Sequence, residues 1–348
     1  MCLSMNSLSS FLSPLTQRLL GDCGTANYPI GLAHGKMGVI VYLYHLHRYT
    51  GLDTYSEAAG SLLDQLLESG LSVHDNLTVM DGLCGIGLGL EHLVAGQFIE
   101  GDLNELLKEM DDRLFKTVAF EEHPYTLSEM AHLIHYLIKR MKRQNDDENV
   151  FIYQELCIRL VSRIQHQWSS MLCKEPFAFS FYDYHVPALL YVMAELTELD
   201  FYQSRLLHIL EEVSHTLFAH LPHSHLNRLY LLWGELPLKD FSKDWEQHCD
   251  LLYENIRIST IMQKEIKGRN IYLSNGYSGL YWLLKNIEMR FPDYAFEYEP
   301  AQLYTCIDNS EAWKTLMEIP YYYEIHAGLL NGFPGAVLTM LDIKSACK

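Results

Sequence analysis

No two cysteines of this chain form a Cys-x-x-Cys pair, although eight are present: Cys2, Cys23, Cys84, Cys157, Cys173, Cys249, Cys306 and Cys347. Scattered singles give no ligand spacing for a structural metal. They fit free thiols in a reducing compartment better than a disulfide scaffold. Basic residues are also few. Lys and Arg total 26 against 44 Asp and Glu, a formal charge of −18 with His neutral. Nucleic acid needs a basic footprint, so that partner class is excluded, and anionic membrane surfaces are disfavoured. A neutral or cationic peptide stays compatible.

Two further absences narrow the class. Met1 to Leu20 has neither a basic start nor a sustained apolar run, so no signal peptide is expected. No segment approaches the length that crosses a bilayer, so the expectation is a soluble, cytoplasmic protein. Alternation of apolar and polar residues never lasts more than a few positions, and the chain reads as all-α. Its hydrophobic content of 49% over 348 residues supports a large core, read here as a single domain over 1–348.

What is present is a repeat. Asn275-Gly276-Tyr277-Ser278-Gly279-Leu280 is a Gly-x-x-Gly turn that opens an apolar helix. The figure recurs at Gly35-Lys36-Met37-Gly38, Gly82-Leu83-Cys84-Gly85 and Gly332-Phe333-Pro334-Gly335. Gly35 to Gly82 is 47 residues, and Gly276 to Gly332 is 56. The 194 residues between Gly82 and Gly276 divide into four intervals of 48.5, which places worn copies near 130, 179 and 228. Apolar runs stand at all three places, so seven units are expected. The first glycine of each turn either takes a positive φ or lets another backbone pass close by. The second lies on the first helical turn, where the missing Cβ permits tight packing.

Each unit reads as a helical hairpin: an apolar helix, then an amphipathic partner. The helix of the first unit is expected over Lys36 to Tyr49, with its partner over Leu52 to Gly70. Those of the second are Ile86 to Val94 and Asp102 to Phe115. The third has Leu127 to Met141, the loop Lys142 to Glu148, and Val150 to Gln167. The fourth has Pro187 to Leu196 and Tyr202 to Leu221. The fifth has Leu229 to Trp233 and a long polar helix from Ser242 to Lys267. The sixth has Gly279 to Met289 and an aromatic loop at Phe291 to Pro300. The seventh ends at Leu341, and a short helix follows Ser13-Pro14 near the start. Seven hairpins can close into an α/α barrel with inner and outer layers, or stack as an open solenoid. Closure is favoured because neither end looks like a polar cap.

With these turns the chain resembles the lanthionine synthetase C-like proteins, the LanC family, most closely at Asn275 to Leu280 and Leu329-Leu330-Asn331-Gly332-x-x-Gly335. The resemblance implies an α/α toroid of seven hairpins. It also implies zinc-activated addition of cysteine thiols to dehydrated Ser or Thr of a precursor peptide, with a dehydratase-like partner enzyme. The family takes its zinc ligands from a Cys before an aromatic-Gly pair and from a Cys-His pair before a turn glycine. Leu232, Ser274 and Asn275 stand there instead, and family geometry implies that they lie together. No metal and no cofactor is therefore expected. The acidic residue of the family's third unit falls near Thr126 and is absent.

By the same resemblance His185 and Arg228 are the candidate catalytic residues, His185 as a general acid and Arg228 holding a carboxylate or carbonyl. Each also has a plain reading: a buried or rim histidine, and an ion pair such as Arg228 with Glu235. Trp233, Asn275, Ser274, Asp81 and His326 are candidate substrate-binding residues. His326, His185 and Cys84 are a weighed substitute metal set, and His34 is read as a turn residue. The His-rich stretch His220 to His225 is read as a solvated turn. Tyr321 to Tyr323 and Tyr294 to Tyr298 line a peptide groove or close the ring. The expected function is a zinc-free, peptide-binding or partner-binding pseudo-cyclase. The alternatives are an active cyclase with a relocated metal, and a carbohydrate-active toroid using Asp81 and Asp183.

Overall fold

The computed structural model describes residues 5–25, 28–68, 76–120, 124–143, 147–168, 172 and 174–346. Cys2, Cys173, Cys347, Gly70 and the centre of the loop expected at Lys142 to Glu148 lie outside them. Among the described residues there is no strand, and no helix is long and apolar enough to cross a membrane. The chain forms two compact units. One comprises Met1–Met110, Ile266–Trp282 and Tyr298–Lys348; the other comprises Asp111–Glu265 and Leu283–Glu297.

In the first unit the glycine turns become helix starts. Lys36–Thr50 buries Met37 to Tyr44 and Leu46, on every face. Asp53–Glu68 buries only Ala59, Leu62, Leu63 and Leu66, one stripe. That contrast makes the first an inner and the second an outer helix. Each fully buried Leu contributes about 1.5–3 kcal/mol. Gly51, at φ 72°, ends the inner helix, and its N–H donates to the His47 carbonyl. Leu83–Ala95 and Phe333–Ala346 repeat the inner pattern, and Tyr277–Arg290 starts here in the same way.

The turn glycines take one of the two roles expected of them. Gly35 and Gly82 have φ of −115° and −125°, so positive φ is not what they supply. Close backbone approach is. A Cβ on Gly82 would lie 2.2 Å from the Asn76 carbonyl oxygen. One on Gly85 would lie 2.2 Å from the Val79 oxygen and 2.6 Å from the Leu32 nitrogen of the neighbouring turn. The closeness lets the turns join by backbone hydrogen bonds. Ala33 donates to Met80, Ser274 to Leu330, and Leu330 to Ala33, at 3.0, 3.0 and 3.2 Å. Turns six, seven, one and two are stitched in that order, so the last repeat sits beside the first.

Several expectations need correction. The first helix runs Met5–Cys23 with Pro14 inside it, because Leu15, Leu19 and Cys23 form a fully buried stripe whose packing outweighs the lost hydrogen bond. The outer partner in the second repeat is two helices, Leu103–Leu106 and Lys108–Phe120. The segment expected as an unbroken helix from Ser242 stops at Glu254 and is followed by Ile258–Thr260 and a π turn at Ile261–Glu265. The Asn255 carbonyl turns aside there to accept from His225 and Arg228. Three short helices, Pro300–Asp308, Ala312–Glu318 and Pro320–Ile325, fill a stretch where none was expected.

The second unit holds the worn copies. Its helix pairs are Leu127–Arg143 with Asp147–Trp168, Val186–Thr197 with Gln203–Leu217, and His225–Glu235 with Lys243–Glu254. Without glycine turns, other devices start these helices. Thr126 and Glu129 form a capping box, with the Thr126 N–H donating to the Glu129 carboxylate at 2.7 Å. The carboxylate of Glu265 accepts from the N–H groups of His225 and Leu226, at 2.8 and 2.9 Å, where the helix dipole favours negative charge. Buried Arg140 donates twice to Asp111, which also accepts from Tyr136 and Tyr153.

Candidate functional site

Within the second unit, His185 is the N-cap residue of Val186–Thr197, and its side chain makes no capping hydrogen bond. Burial holds its imidazole below the ordinary histidine range, with Asp183 opposing, so it is neutral at pH 7. It lines a cavity of about 220 Å³ with Trp168, Glu175, Pro176, Asp183 and Leu189 among others. Three buried polar atoms there have no hydrogen-bond partner among the described residues: Trp168 Nε1, Glu175 Oε2 and His185 Nδ1. Buried polar groups are nearly always satisfied. Trp168 and Glu175 were not foreseen. They lie at the end of an outer helix and in a loop, where no periodicity marks them.

Arg228, the other candidate catalytic residue, is held by the chain's own backbone. Its guanidinium donates to the carbonyls of Pro222, Asn255 and His223, at 2.6, 2.8 and 3.2 Å. The expected ion pair with Glu235 is not formed, because Glu235 is buried against His248 Nδ1 at 2.7 Å. Trp233 is half-buried, stacks on Tyr191 with ring centroids 4.5 Å apart, and donates Nε1–H to Asn286 Oδ1 at 2.7 Å. In the His-rich stretch the His223 side chain is exposed, while His225 Nδ1–H donates to the Asn255 carbonyl.

The first unit brings Asn275 and His326 to one cavity of about 690 Å³, whose wall includes Lys267, Arg269, Tyr272, Cys306 and Tyr322. Ser274 is adjacent in sequence and buried. Asp81 is engaged elsewhere: its carboxylate accepts from His34 Nδ1 at 2.9 Å, while His34 Nε2 accepts from the Asn331 carboxamide at 3.1 Å. His34 is thus a turn residue that ties three repeats together. Tyr323 is buried, with the Arg18 guanidinium 3.7 Å from its ring centre. Tyr294 packs on Tyr253 and donates to Asp250. Only Tyr322 of these aromatics lines the cavity.

The residues that the resemblance matches to zinc ligands, Leu232, Ser274 and Asn275, are poor donors to the metal. Leu232 is fully buried and aliphatic and has no lone pair to give. Ser274 offers a neutral hydroxyl and Asn275 a neutral carboxamide, both weak donors to zinc, and a catalytic site needs three protein ligands. Among the described residues no three His, Cys, Asp or Glu side chains converge as a metal-binding group, and His326, His185 and Cys84 form no such set. Cys84 is fully buried.

Hairpins of buried inner and striped outer helices, with inner helices opening on turns stitched to one another, define an all-helical α/α-toroid fold. The same fold is that of nisin cyclase, with a TM-score of 0.64, 14% sequence identity, and coverage of 99% of this chain and 95% of that one. The LanC-like resemblance read from the turns is thus supported by the fold. The sequence matches no family model and no curated protein.

Proposed function

We propose that this chain is a LanC-like protein of ribosomal-peptide biosynthesis that works without zinc, holding a precursor peptide or a dehydratase-like partner enzyme instead of cyclising the peptide. The observation that carries this reading is Leu232, a fully buried aliphatic side chain at a position where the family resemblance calls for a thiolate. Without a metal or a cationic neighbour a peptide thiol stays protonated at neutral pH and attacks slowly. Losing the metal leaves the cavities intact, since their walls are packed helices. The cavity beside His185 is one such space, with Trp168, Glu175 and Asp183 in its wall. Nisin cyclase, similar in fold, supports a peptide as the ligand class. Buried free thiols at Cys23, Cys157 and Cys249 fit work in the cytoplasm, where thiols stay reduced.

The test uses a synthetic peptide carrying one dehydroalanine and one cysteine. Fluorescence anisotropy of a labelled copy reads binding, and alkylation of free thiol followed by mass spectrometry reads cyclisation. Binding is expected, with cyclisation no faster than in buffer, with or without added zinc. Cyclisation that is accelerated and then lost on chelation would contradict the proposal and favour a relocated metal.

A further inference from the structure

The larger cavity of the first unit has a wall that the zinc comparison leaves unexplained. Asn275 Oδ1 is buried and has no hydrogen-bond partner among the described residues. Across the same cavity His326 Nδ1 donates to the Asn331 carbonyl at 2.7 Å. A carbonyl only accepts, so Nδ1 carries the proton and Nε2 of the neutral ring is an acceptor. Burial holds His326 below its ordinary range, which keeps the ring neutral. The ring is fixed in place. It stacks on Tyr272 at 4.3 Å and 14° and leans on Tyr322 at 4.3 Å, while the two tyrosine hydroxyls bond each other at 3.0 Å.

The cavity wall therefore carries two acceptors, the buried Asn275 Oδ1 without a partner among the described residues and His326 Nε2, set among aromatic faces. It also carries an uncompensated cation. Arg269 pairs with Glu311 at 2.9 Å, whereas Lys267, exposed and on the cavity wall, has no ion-pair partner among the described residues. In a chain of charge −18 a site that is locally positive is unusual. Consecutive N–H donors followed by one negative charge, in a volume of about 690 Å³, describe the end of a peptide chain. We propose that this cavity binds the C-terminal segment of a peptide, with backbone N–H groups donating to Asn275 Oδ1 and His326 Nε2 and the free carboxylate meeting Lys267. Capture of a terminal carboxylate together with backbone amides is a general mode of peptide recognition. The proposal rests on the reading of the chain as a peptide-binding protein, but not on the state of the zinc positions.

The test is anisotropy with a labelled neutral hexapeptide of Gly, Ala, Leu and Phe, made as the free acid and as the C-terminal amide. The wild-type protein is expected to bind the acid about tenfold more tightly than the amide. Lys267→Gln should remove that preference; this residue is exposed, so the variant should fold. Asn275→Leu and His326→Phe should each weaken acid and amide alike by about tenfold, with thermal melts confirming that they fold. Equal affinity for acid and amide, or a preference that survives Lys267→Gln, would overturn the proposal. So would displacement of the peptide by AMP at similar concentration, which would make the site one for a nucleotide. The dehydroalanine–cysteine peptide is run in parallel as its C-terminal amide. If it binds while the free-acid preference is absent, only this proposal fails. If the preference is present but that peptide does not bind, only the precursor reading fails.

Discussion

The backbone N–H of Leu330 donates to the carbonyl of Ala33 across 3.2 Å. Nearly 300 residues separate the two in sequence, and the bond sets the last glycine turn beside the first. Repeats stacked in an open solenoid touch only their sequence neighbours, so this contact favours closure. Removing the donor tests it. Leu330→Pro should lower stability by about 1–3 kcal/mol relative to Leu330→Ala, read as a lower urea midpoint. Equal midpoints for the two variants would show that the bond contributes nothing.

The turn glycines make a paired prediction. Gly85→Ala places a Cβ 2.2 Å from the Val79 oxygen and 2.6 Å from the Leu32 nitrogen, both backbone atoms, so the turn must move. A loss of about 2–4 kcal/mol is expected. Gly21→Ala, in the helix Met5–Cys23 with no atom of the described residues within 4 Å of the new Cβ, should instead stabilise by about 0.5–1 kcal/mol. Denaturation curves on the two variants should shift in opposite directions.

Arg228 separates a structural from a catalytic role. Its three carbonyl partners come from the chain itself. Arg228→Lys cannot reproduce that fork and should cost about 1–3 kcal/mol while leaving affinity for the dehydroalanine–cysteine peptide within about twofold. A variant of unchanged stability that no longer binds that peptide would return Arg228 to the ligand site.

His132 gives a pH dependence. Burial, with smaller contributions from His135 and His185 and opposition from Glu129, pushes its imidazole down to about 4. The unfolded chain therefore takes up the proton first as pH falls through about 6.5. Stability is lost from there down to about 4, and the loss levels off below. His132→Gln should make the slope of stability against pH shallower by up to about one proton across that window. His45, also pushed to about 4 by burial beside His92, leaves a residual slope. An unchanged slope in the variant would mean that His132 is protonated in the folded protein.

Much of the fold was readable because the repeat marks itself. Glycine pairs 47 and 56 residues apart fixed four inner helices, and simple division located the other three. The outer layer was harder to read. Leu103, Leu107, Met110, Leu114 and Val118 are all buried and continue one helical stripe, so a break at Leu107 leaves no trace in the pattern. Two of the missed helices did carry a signal. Pro300 and Pro320 each occupy a first helical position, where proline is favoured. The candidate site was only half legible. Asn275 and His326 were named and do share a cavity. Trp168 and Glu175 could not be named, because an unsatisfied polar atom is a property of the folded surroundings and not of sequence spacing. The partners of Arg228 are equally hard to read from sequence, because they are main-chain carbonyls, which no side-chain pattern reveals.

Zinc content decides whether the positions matched to zinc ligands by the family resemblance still hold the metal. Protein purified without a tag and dialysed against zinc at micromolar concentration should be measured by inductively coupled plasma mass spectrometry. Well under one zinc per chain is expected, with a melting temperature unchanged by chelator. One zinc per chain, retained through dialysis and accompanied by a chelator-sensitive melting temperature, would contradict the zinc-free reading.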